Sequence, residues 1–401
     1  MTKFWTWLVL LFCWVCVGLS QNEAVSSWQN REIRTGAERH DLLLPLLKGK
    51  RIGIVSNVTG VVGPHKTLLA DTLLASGIKV VKLFSPEHGY RGEADAGASV
   101  KSGKDSRSGL PVVSLYGNNK KPTSEQLQGI DLLLFDLQDV GTRFYTYIST
   151  MHYVMEAAAE NNLEVVICDR PNPNDFVDGP ILEPAFRSFV GMHPIPVLHG
   201  LTVGELAMMI NGERWLKGGI QCTLFVIPVQ GWKHGQPYAP VVPPSPNLKD
   251  YIAIRRYPSL CFFEATILSV GRGTDRPFRV LGYPNPQMGS FRFTPKSQPG
   301  AAKPKYNGQE CYGADYTQVS TLEGLQLFPL IEYQLLCQKM GIKMIDRKRA
   351  FDILAGTDQL RLQLERGDSE QEIRTSWQTK LQRYKELRRK YLIYTDYTED
   401  R

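Results

Sequence analysis

The feature of the chain that most constrains its fold is a short apolar run followed directly by a polar cluster, a pattern that occurs four times. Apolar runs of this length are typical of buried strands in a parallel sheet. The carboxyl ends of parallel strands lie at one edge of the sheet, where open α/β proteins bind their ligands. We therefore expect the four polar clusters to meet in one acid-rich cleft. They occupy residues 56–57, 85–89, 136–139 and 169–172.

The apolar runs and the helical patterns between them predict the fold class. Predicted strands cover residues 51–55, 80–84, 111–115, 131–135, 164–168 and 195–198, and predicted helices include residues 65–76 and 147–162. This alternation is typical of a Rossmann-like α/β domain with three layers and a mainly parallel sheet. After residue 247 the sequence becomes aromatic and irregular and then helical, which predicts a smaller α+β domain at the C-terminus.

The first twenty residues differ from the rest of the chain. Lys3 precedes an apolar run over residues 4–17, and small residues precede a potential cleavage site before Gln21. This pattern is typical of a secretory signal peptide, and the run is too short for a membrane span. We therefore predict that residues 1–20 are removed and that the protein is exported to the periplasm or the extracellular space. A lipid anchor on Cys13 or Cys16 is the alternative.

A second boundary is predicted at the proline-rich residues 243–246, because consecutive prolines favour an extended connection. The predicted organisation is a signal peptide over residues 1–20, a catalytic Rossmann-like domain over residues 21–245 and a C-terminal domain over residues 246–401. We expect the C-terminal domain to complete the cleft.

The positive charge of the chain is local. The formal net charge is +7, and thirteen basic against eight acidic residues between Lys343 and Lys390 supply most of it. Apolar side chains recur there at helical spacing, which predicts an amphipathic helix packed on the protein rather than a nucleic-acid site. These apolar residues are Ile373, Trp377, Leu381, Tyr384 and Leu387.

No motif indicates a cofactor or a metal. The first predicted strand is not followed by a Gly-x-Gly-x-x-Gly sequence, and no Walker-type sequence occurs. The seven histidines lack the His-Glu-x-x-His spacing of zinc enzymes, and the five cysteines beyond residue 20 are irregularly spaced. No serine stands in a Gly-x-Ser-x-Gly motif, so a serine nucleophile is also disfavoured.

Carboxylates are the best candidates for catalysis. Glu87 lies in a Pro-Glu-His-Gly turn after a predicted strand, where proline and glycine hold the acid in a defined local frame. Asp136 and Asp139 follow another predicted strand, although a structural ion pair with an arginine is an equal alternative for them. Glu264 lies in a strand-like apolar segment over residues 262–266, where a buried carboxylate must be paired.

The candidate substrate-binding residues are polar or aromatic side chains near these acids. An arginine among them could bind a carboxylate through two hydrogen bonds. Glu205 is excluded from this group because its spacing from Thr202 predicts a helix capping box. The candidates are Asn57, His88, Gln138, Arg143, Tyr145, Arg170, Asn172, His199, Asn247 and Arg272.

Five motifs in the same order resemble the bacterial exo-β-N-acetylmuramidases of the NamZ type. They are Pro-Glu-His-Gly at 86–89, Asp-Leu-Gln-Asp-Val-Gly-Thr-Arg-Phe-Tyr-Thr-Tyr at 136–147, Asp-Arg-Pro-Asn-Pro at 169–173, Pro-Pro-Ser-Pro-Asn at 243–247 and Ser-Val-Gly-Arg-Gly-Thr at 269–274. The resemblance implies a Rossmann-like protein that releases N-acetylmuramic acid from the non-reducing end of peptidoglycan fragments. It also implies that Glu87 is catalytic and that the partners are MurNAc-GlcNAc saccharides.

The resemblance agrees with an acid-rich cleft, because glycoside hydrolysis requires a proton donor and a second group on the opposite face of the sugar. The lactyl carboxylate of muramic acid would require Arg143, Arg170 or Arg272. The 2-acetamido group of the sugar could itself be the nucleophile, so the stereochemical outcome stays open. A non-catalytic muropeptide-binding protein and another peptidoglycan hydrolase, such as an amidase, are the alternatives.

Overall fold

The computed structural model of the chain describes residues 33–87, 89–91, 103–318 and 323–397. The predicted signal peptide and the candidate residue His88 lie outside these residues. The strands of the described chain are β1 (Ile52–Ser56), β2 (Val61–Val62), β3 (Thr67–Leu68), β4 (Val80–Ser85), β5 (Gly103–Lys104), β6 (Pro111–Ser114), β7 (Leu132–Asp136), β8 (Glu164–Cys168), β9 (Val177–Asp178), β10 (Leu198–His199), β11 (Thr223–Ile227), β12 (Val280–Tyr283), β13 (Phe291–Phe293) and β14 (Cys311–Asp315).

The α-helices connect these strands and dominate the C-terminal part of the chain. They are α1 (His40–Leu47), α2 (Leu69–Ala75), α3 (Ser124–Leu127), α4 (Tyr147–Glu160), α5 (Val203–Gly212), α6 (Tyr251–Leu260), α7 (Phe328–Lys339), α8 (Lys348–Ala355), α9 (Gln359–Arg366) and α10 (Glu370–Arg389).

The main sheet has seven strands in the order β11-β8-β7-β1-β4-β6-β5. All neighbouring strands are parallel except β5, which pairs antiparallel with β6. The chain moves outward from β1 through β4 to β6 and then returns to the other side of β1 with β7. This is the Rossmann-like order, so the predicted α/β fold class is confirmed. The reversal places the ends of β1 and β7 at the topological switch point, where ligands of this fold class bind.

Alternate side chains of the central strands enter two separate cores. Ile52 and Ile54 of β1 lie in one core with helices α1 and α2, whereas Val55 lies in the other. Leu132 and Leu133 of β7 divide in the same way. Because successive side chains of a strand point to opposite faces, this apolar sequence covers both faces and yields three layers.

One predicted strand is wrong. Residues 195–198 do not join the main sheet, and only Leu198–His199 forms a short antiparallel pair with β9. Pro196 lies inside the predicted strand, and proline cannot donate a backbone hydrogen bond to a central sheet. The sixth parallel strand is instead β11 (Thr223–Ile227), which pairs with β8 at the edge of the sheet.

Two other local predictions also differ from the structure. The helix predicted over residues 65–76 begins only at Leu69, because residues 61–68 form the β2–β3 hairpin. The strand-like segment around Glu264 is a 3-10 helix over Cys261–Ala265 that directly follows α6. Glu264 is consequently presented by a helical turn.

The C-terminal part of the chain is α+β, as predicted. The strands β12, β14 and β13 form a small antiparallel sheet, and helices α7 to α10 follow it in the chain. The predicted amphipathic helix is α10, whose Ile373, Trp377, Leu381 and Tyr384 are buried. A domain division near residue 245 stays a prediction. None of the helices within the described ranges has the length and hydropathy needed to cross a membrane.

Candidate active site

Glu87 lies where the sequence places it, two residues beyond the end of β4. The turn is closed by a hydrogen bond of 3.3 Å from the Gly89 amide to the Pro86 carbonyl, and Gly89 has the positive φ of 79° that this turn requires. The half-buried Glu87 carboxylate accepts a hydrogen bond of 3.2 Å from the Thr146 hydroxyl. Burial raises the pKa of Tyr116 above its usual range, and the neighbouring Glu87 raises it further.

Two tyrosines hold the proline-rich segment against the carboxyl edge of the sheet. The hydroxyls of Tyr145 and Tyr147 donate to the Pro244 carbonyl at 2.7 and 3.1 Å. Asn57, at the end of β1, donates to the Tyr147 hydroxyl at 2.6 Å. Asn57 and Tyr145 are therefore brought together, as predicted, but their polar atoms contact protein groups. Thr146, the donor to Glu87, is fixed between the two tyrosines.

Asp136 and Arg170 form a buried ion pair. The Arg170 guanidinium donates to both carboxylate oxygens of Asp136, at 2.6 and 3.0 Å, and also to the Val61 carbonyl at 3.2 Å. The side chain of Asp136 is 0% exposed and that of Arg170 is 2% exposed. Burial raises the pKa of Asp136, and the charge of Arg170 opposes this effect. This geometry favours a structural role for both residues over a role in catalysis or substrate binding.

In the described part of the chain, the side-chain hydrogen bonds of Arg143 all go to backbone carbonyls. Its guanidinium donates to the carbonyls of Pro180, Ile195 and Leu354 at 2.8, 2.7 and 3.0 Å. The residue is fully buried, and burial lowers the pKa of Arg143 to about 9. A Cβ atom at Gly356 would approach Nη2 of Arg143 to 2.6 Å, so glycine leaves the space that the guanidinium occupies. Arg143 therefore joins the loops that contain Pro180 and Ile195 to helix α8. Because its guanidinium is buried and bound to protein carbonyls, Arg143 is poorly placed to bind a substrate.

Asp139 and His199 face each other at the carboxyl edge. Oδ2 of Asp139 accepts a hydrogen bond of 2.6 Å from the Gly141 amide and lies 3.8 Å from Nε2 of His199. Nδ1 of His199 accepts from the Leu201 amide at 3.3 Å. A Cβ atom at Gly141 would lie 1.9 Å from Asn172 Oδ1, so this turn requires glycine.

Three predicted amide side chains are buried and contact the backbone. Gln138 donates to the carbonyls of Asp139 and Pro171, both at 2.9 Å. Asn172 donates to the Leu201 carbonyl at 2.9 Å, and Asn247 donates to the Gly300 carbonyl at 2.7 Å. These contacts order the loops around the site. They give no support for direct contact with a ligand.

Glu264 and Arg272 form a half-exposed pair in the C-terminal part of the chain. Nε of Arg272 donates to the Glu264 carboxylate at 3.0 Å, and the two side chains are 26% and 34% exposed. The Arg272 guanidinium also lies over the Phe278 ring at 4.9 Å. Among the three candidate arginines, Arg272 is the one whose side chain is accessible to a ligand.

Aromatic rings connect the surroundings of Glu87 with those of Arg272. Tyr145 contacts Tyr147 and Tyr257 at ring-centroid distances of 4.7 and 6.0 Å. Tyr257 then contacts Phe278 at 5.0 Å, and Phe278 is the ring beneath Arg272. The N-terminal and C-terminal parts of the chain therefore contribute to one continuous cluster of buried rings.

A separate buried network attaches the C-terminal segment to the sheet. Asp169 accepts hydrogen bonds from the hydroxyls of Thr202 and Tyr394 at 2.7 and 2.6 Å. Glu205 and Asp175 accept from the two ring nitrogens of His234 at 3.0 and 2.9 Å. The predicted capping box of Thr202 and Glu205 is present, but its additional partner His234 was not predicted. Asp169, the acid at the end of β8, therefore stabilises the fold through its contacts with Thr202 and Tyr394.

Raising the pH should weaken this network through His234. Burial lowers the pKa of His234, but hydrogen bonds to Asp175 and Glu205 outweigh it and raise the pKa to about 9. Because an unfolded histidine has a pKa of about 6.5, the protonated ring stabilises the fold fully below about pH 6.5 and loses this effect toward pH 9. We expect His234→Gln to lower the free energy of unfolding by on the order of 3 kcal/mol near pH 6 and by much less near pH 10. Urea denaturation at both pH values measures the difference, and an equal loss at the two would contradict the assignment.

A surface groove of about 760 Å³ lies at the opposite edge of the sheet. It is lined by residues that precede β1 and β4, including Lys48, Gly49 and Lys79. None of the candidate catalytic or substrate-binding residues lines it. The described ranges also contain no group of three His, Cys, Asp or Glu side chains arranged to hold a metal ion.

Sequence reasoning missed two residues beside Glu87. Thr146 donates a hydrogen bond to its carboxylate, and Tyr116 lies close enough to be affected by its charge. Tyr116 follows β6 by two residues, so the strand-end rule could have identified it. Thr146 lies within the motif over residues 136–147, but an uncharged threonine there carries no sequence signal of its contact with Glu87.

The chain is similar to known proteins over nearly its whole length. Residues 52–252 match the family profile described as exo-beta-N-acetylmuramidase NamZ, N-terminal, and residues 255–394 match the C-terminal profile of the same family. The peptidoglycan beta-N-acetylmuramidase NamZ of Bacillus subtilis (strain 168) is 39% identical over 388 residues, which cover 90% of this chain and 92% of that protein.

Two solved structures of proteins from Bacteroides fragilis NCTC 9343, both described as DUF1343 family proteins, have the same fold. One is 42% identical with a TM-score of 0.84, and the other is 32% identical with a TM-score of 0.77. Each comparison covers 91% of this chain and 100% of the solved chain. The two family profiles together span most of the chain, and the Bacillus relative matches along the same range. The chain therefore belongs to the NamZ family of exo-beta-N-acetylmuramidases.

Proposed function

We propose that the protein is an exo-acting glycoside hydrolase that releases N-acetylmuramic acid from the non-reducing end of peptidoglycan fragments. Membership of the NamZ family supports this function. The structural observation that carries it is the position of Glu87, a half-buried acid at the carboxyl end of β4 that accepts a hydrogen bond from Thr146 at 3.2 Å.

In the proposed reaction Glu87 donates a proton to the leaving glycosidic oxygen. Glu87 suits this role because its turn fixes the backbone and Thr146 orients one carboxylate oxygen. Glycoside hydrolysis by this route requires a second group on the opposite face of the sugar but no cofactor. Asp139 and Glu264 are the remaining candidates for that group. Asp136 is less suitable because both of its carboxylate oxygens already accept hydrogen bonds from Arg170.

The separation between Glu87 and the second carboxylate decides the stereochemistry. About 5–5.5 Å suits a nucleophile that retains the configuration, whereas about 6.5–9.5 Å accommodates an attacking water that inverts it. If the 2-acetamido group of the substrate attacks, the second carboxylate orients that group instead. A proton NMR time course of the released anomer distinguishes retention from inversion.

We further propose that Arg272 binds the lactyl carboxylate of the muramic acid residue. Replacing Arg272 by methionine, which keeps the contact with Phe278, should lower kcat/KM for a muramyl disaccharide by about 10–150-fold, since a charge-assisted hydrogen bond contributes about 1.5–3 kcal/mol. The loss should be much smaller for an analogue without the lactyl group. Arg276→Met is the matched control, because Arg276 lies nearby, is 40% exposed and pairs with Asp315. Equal losses on both substrates would contradict the assignment.

Incubation of the purified protein with MurNAc-GlcNAc and with an intact muropeptide tests the proposed function. We expect free N-acetylmuramic acid and N-acetylglucosamine from the disaccharide, detected by mass spectrometry. Binding without cleavage would indicate a muropeptide-binding protein. Release of the peptide from the muropeptide with the sugars still joined would indicate an amidase.

We also propose that the protein is exported. The pattern of residues 1–20 supports a cleavable signal peptide. Sequencing of the N-terminus of protein from its native host should find Gln21 or a residue close to it. An intact Met1, or a lipid on Cys13 or Cys16, would contradict cleavage at this point.

A further inference from the structure

We propose that Asp139 and His199 together form a binding position for one hydroxyl group at the carboxyl edge of the sheet. Asp139 follows β7 by three residues, and His199 ends β10. Both are more than nine-tenths buried, with exposures of 6% and 0%. Their polar atoms face each other, yet Oδ2 of Asp139 and Nε2 of His199 are 3.8 Å apart, beyond the range of a direct hydrogen bond.

The hydrogen bond to one ring nitrogen of His199 defines what the other nitrogen requires. The Leu201 amide donates to Nδ1 at 3.3 Å, so Nδ1 is an acceptor and the proton of the neutral ring lies on Nε2. Within the described ranges no protein group accepts a hydrogen bond from Nε2. His199 therefore presents a buried donor, and a buried donor without an acceptor costs about 1–3 kcal/mol.

The hydrogen bonds of Asp139 define the complementary requirement. Its Oδ2 accepts the Gly141 amide at 2.6 Å. Its Oδ1 is buried, and in the described part of the chain no donor lies within hydrogen-bonding distance of it. Asp139 therefore presents a buried acceptor next to the donor of His199.

A single hydroxyl group satisfies both requirements, because it donates through its hydrogen and accepts through its oxygen. A carboxylate ligand would be repelled by Asp139, and an ammonium group would leave the His199 donor without an acceptor. Two sources share this chemistry: a water molecule and a hydroxyl of a saccharide. The nearby tyrosines Tyr145 and Tyr147, whose pKa values are raised by burial and in part by the charge of Asp139, connect this position to the surroundings of Glu87. The saccharide source rests on the proposed function, whereas the water source does not.

High-resolution crystal structures of the full mature chain, alone and soaked with N-acetylmuramic acid, test the proposal. We expect one oxygen atom about 2.6–3.0 Å from both Asp139 Oδ1 and His199 Nε2. In the unsoaked crystal it would be a water molecule, and in the soaked crystal it would be either the same water or a sugar hydroxyl. A direct hydrogen bond between the two side chains with no atom between them, or a metal ion at this position, would overturn the proposal.

Kinetics of Asp139→Asn distinguish the two sources. If a substrate hydroxyl binds there, KM should rise by about tenfold or more, because the amide donor of asparagine would oppose the His199 donor. If the position holds water in the complex as well, KM should stay within about twofold of the wild type, and the water should remain in the soaked crystal. Asp352→Asn is the matched control, since Asp352 is also 6% exposed but pairs with Arg361 in the C-terminal part of the chain. A wild-type protein that cleaves no saccharide would contradict the proposed function and leave the crystallographic test of this position intact.

Discussion

Replacement of Glu87 by glutamine should lower turnover of a muramyl disaccharide by about 10²–10⁴-fold, the usual contribution of a general acid. Glutamine has nearly the same shape and can accept the Thr146 hydrogen bond through its amide oxygen, but it cannot donate a proton to the leaving oxygen. The fold and substrate affinity should therefore stay close to those of the wild type. Steady-state kinetics, with a thermal melt to verify folding, measure the effect.

Two further variants make the Glu87 prediction specific. Thr146→Val should reduce turnover less than Glu87→Gln, because it removes only the hydrogen bond that orients the carboxylate. Thr146→Ser keeps the hydroxyl and should restore the wild-type turnover. Near wild-type turnover of Glu87→Gln would refute its role as the proton donor, and Glu264 would then be the first acid to test.

Replacement of Arg170 by methionine should lower the free energy of unfolding by about 3–5 kcal/mol, because it leaves Asp136 buried without its partner. Since burial already raises the pKa of Asp136, the variant should partly relieve the loss by binding a proton at that carboxylate. The loss should therefore be smaller at acidic pH than at neutral pH. Urea denaturation at the two pH values measures both effects.

An exposed pair provides the control for the buried one. Arg51 and Asp131 lie 2.7 Å apart with side-chain exposures of 46% and 39%, so Arg51→Met should lower the free energy of unfolding far less than Arg170→Met. A double variant that replaces both Asp136 and Arg170 by apolar residues should recover part of the loss of Arg170→Met. Equal effects of Arg170→Met and Arg51→Met would show that the buried pair is unimportant for stability.

The sheet was largely predictable because its determinants are local. Each central strand is a short apolar run, and the period of two along β1 and β7 divides the side chains between the two cores. The edge strand β11 was missed although its sequence, Thr-Leu-Phe-Val-Ile, is as apolar as the sequences of the central strands, and its side chains are only partly buried. The apolar run at 195–198 led to the prediction of a strand, although Pro196 cannot donate the backbone hydrogen bond that a central strand needs.

The candidate site was predictable only in its location. The strand-end rule correctly brought Asn57, Glu87 and Asp139 to the carboxyl edge of the sheet. It could not tell which charged groups would pair with one another, because Asp136 and Arg170 are 34 residues apart in sequence. It also could not foresee that Arg143 binds a carbonyl of α8, which lies 211 residues further along the chain. Such contacts depend on how the C-terminal part of the chain packs against the sheet, and no local sequence pattern encodes that packing.

The polarity of cleavage is the most direct test of the proposed activity. The full mature chain would be incubated with two peptidoglycan fragments of equal length, one with N-acetylmuramic acid and one with N-acetylglucosamine at the non-reducing end, and the products identified by mass spectrometry. We predict release of free N-acetylmuramic acid from the first fragment and no cleavage of the second. Internal cleavage of both fragments, or no sugar released from either, would contradict an exo-acting muramidase.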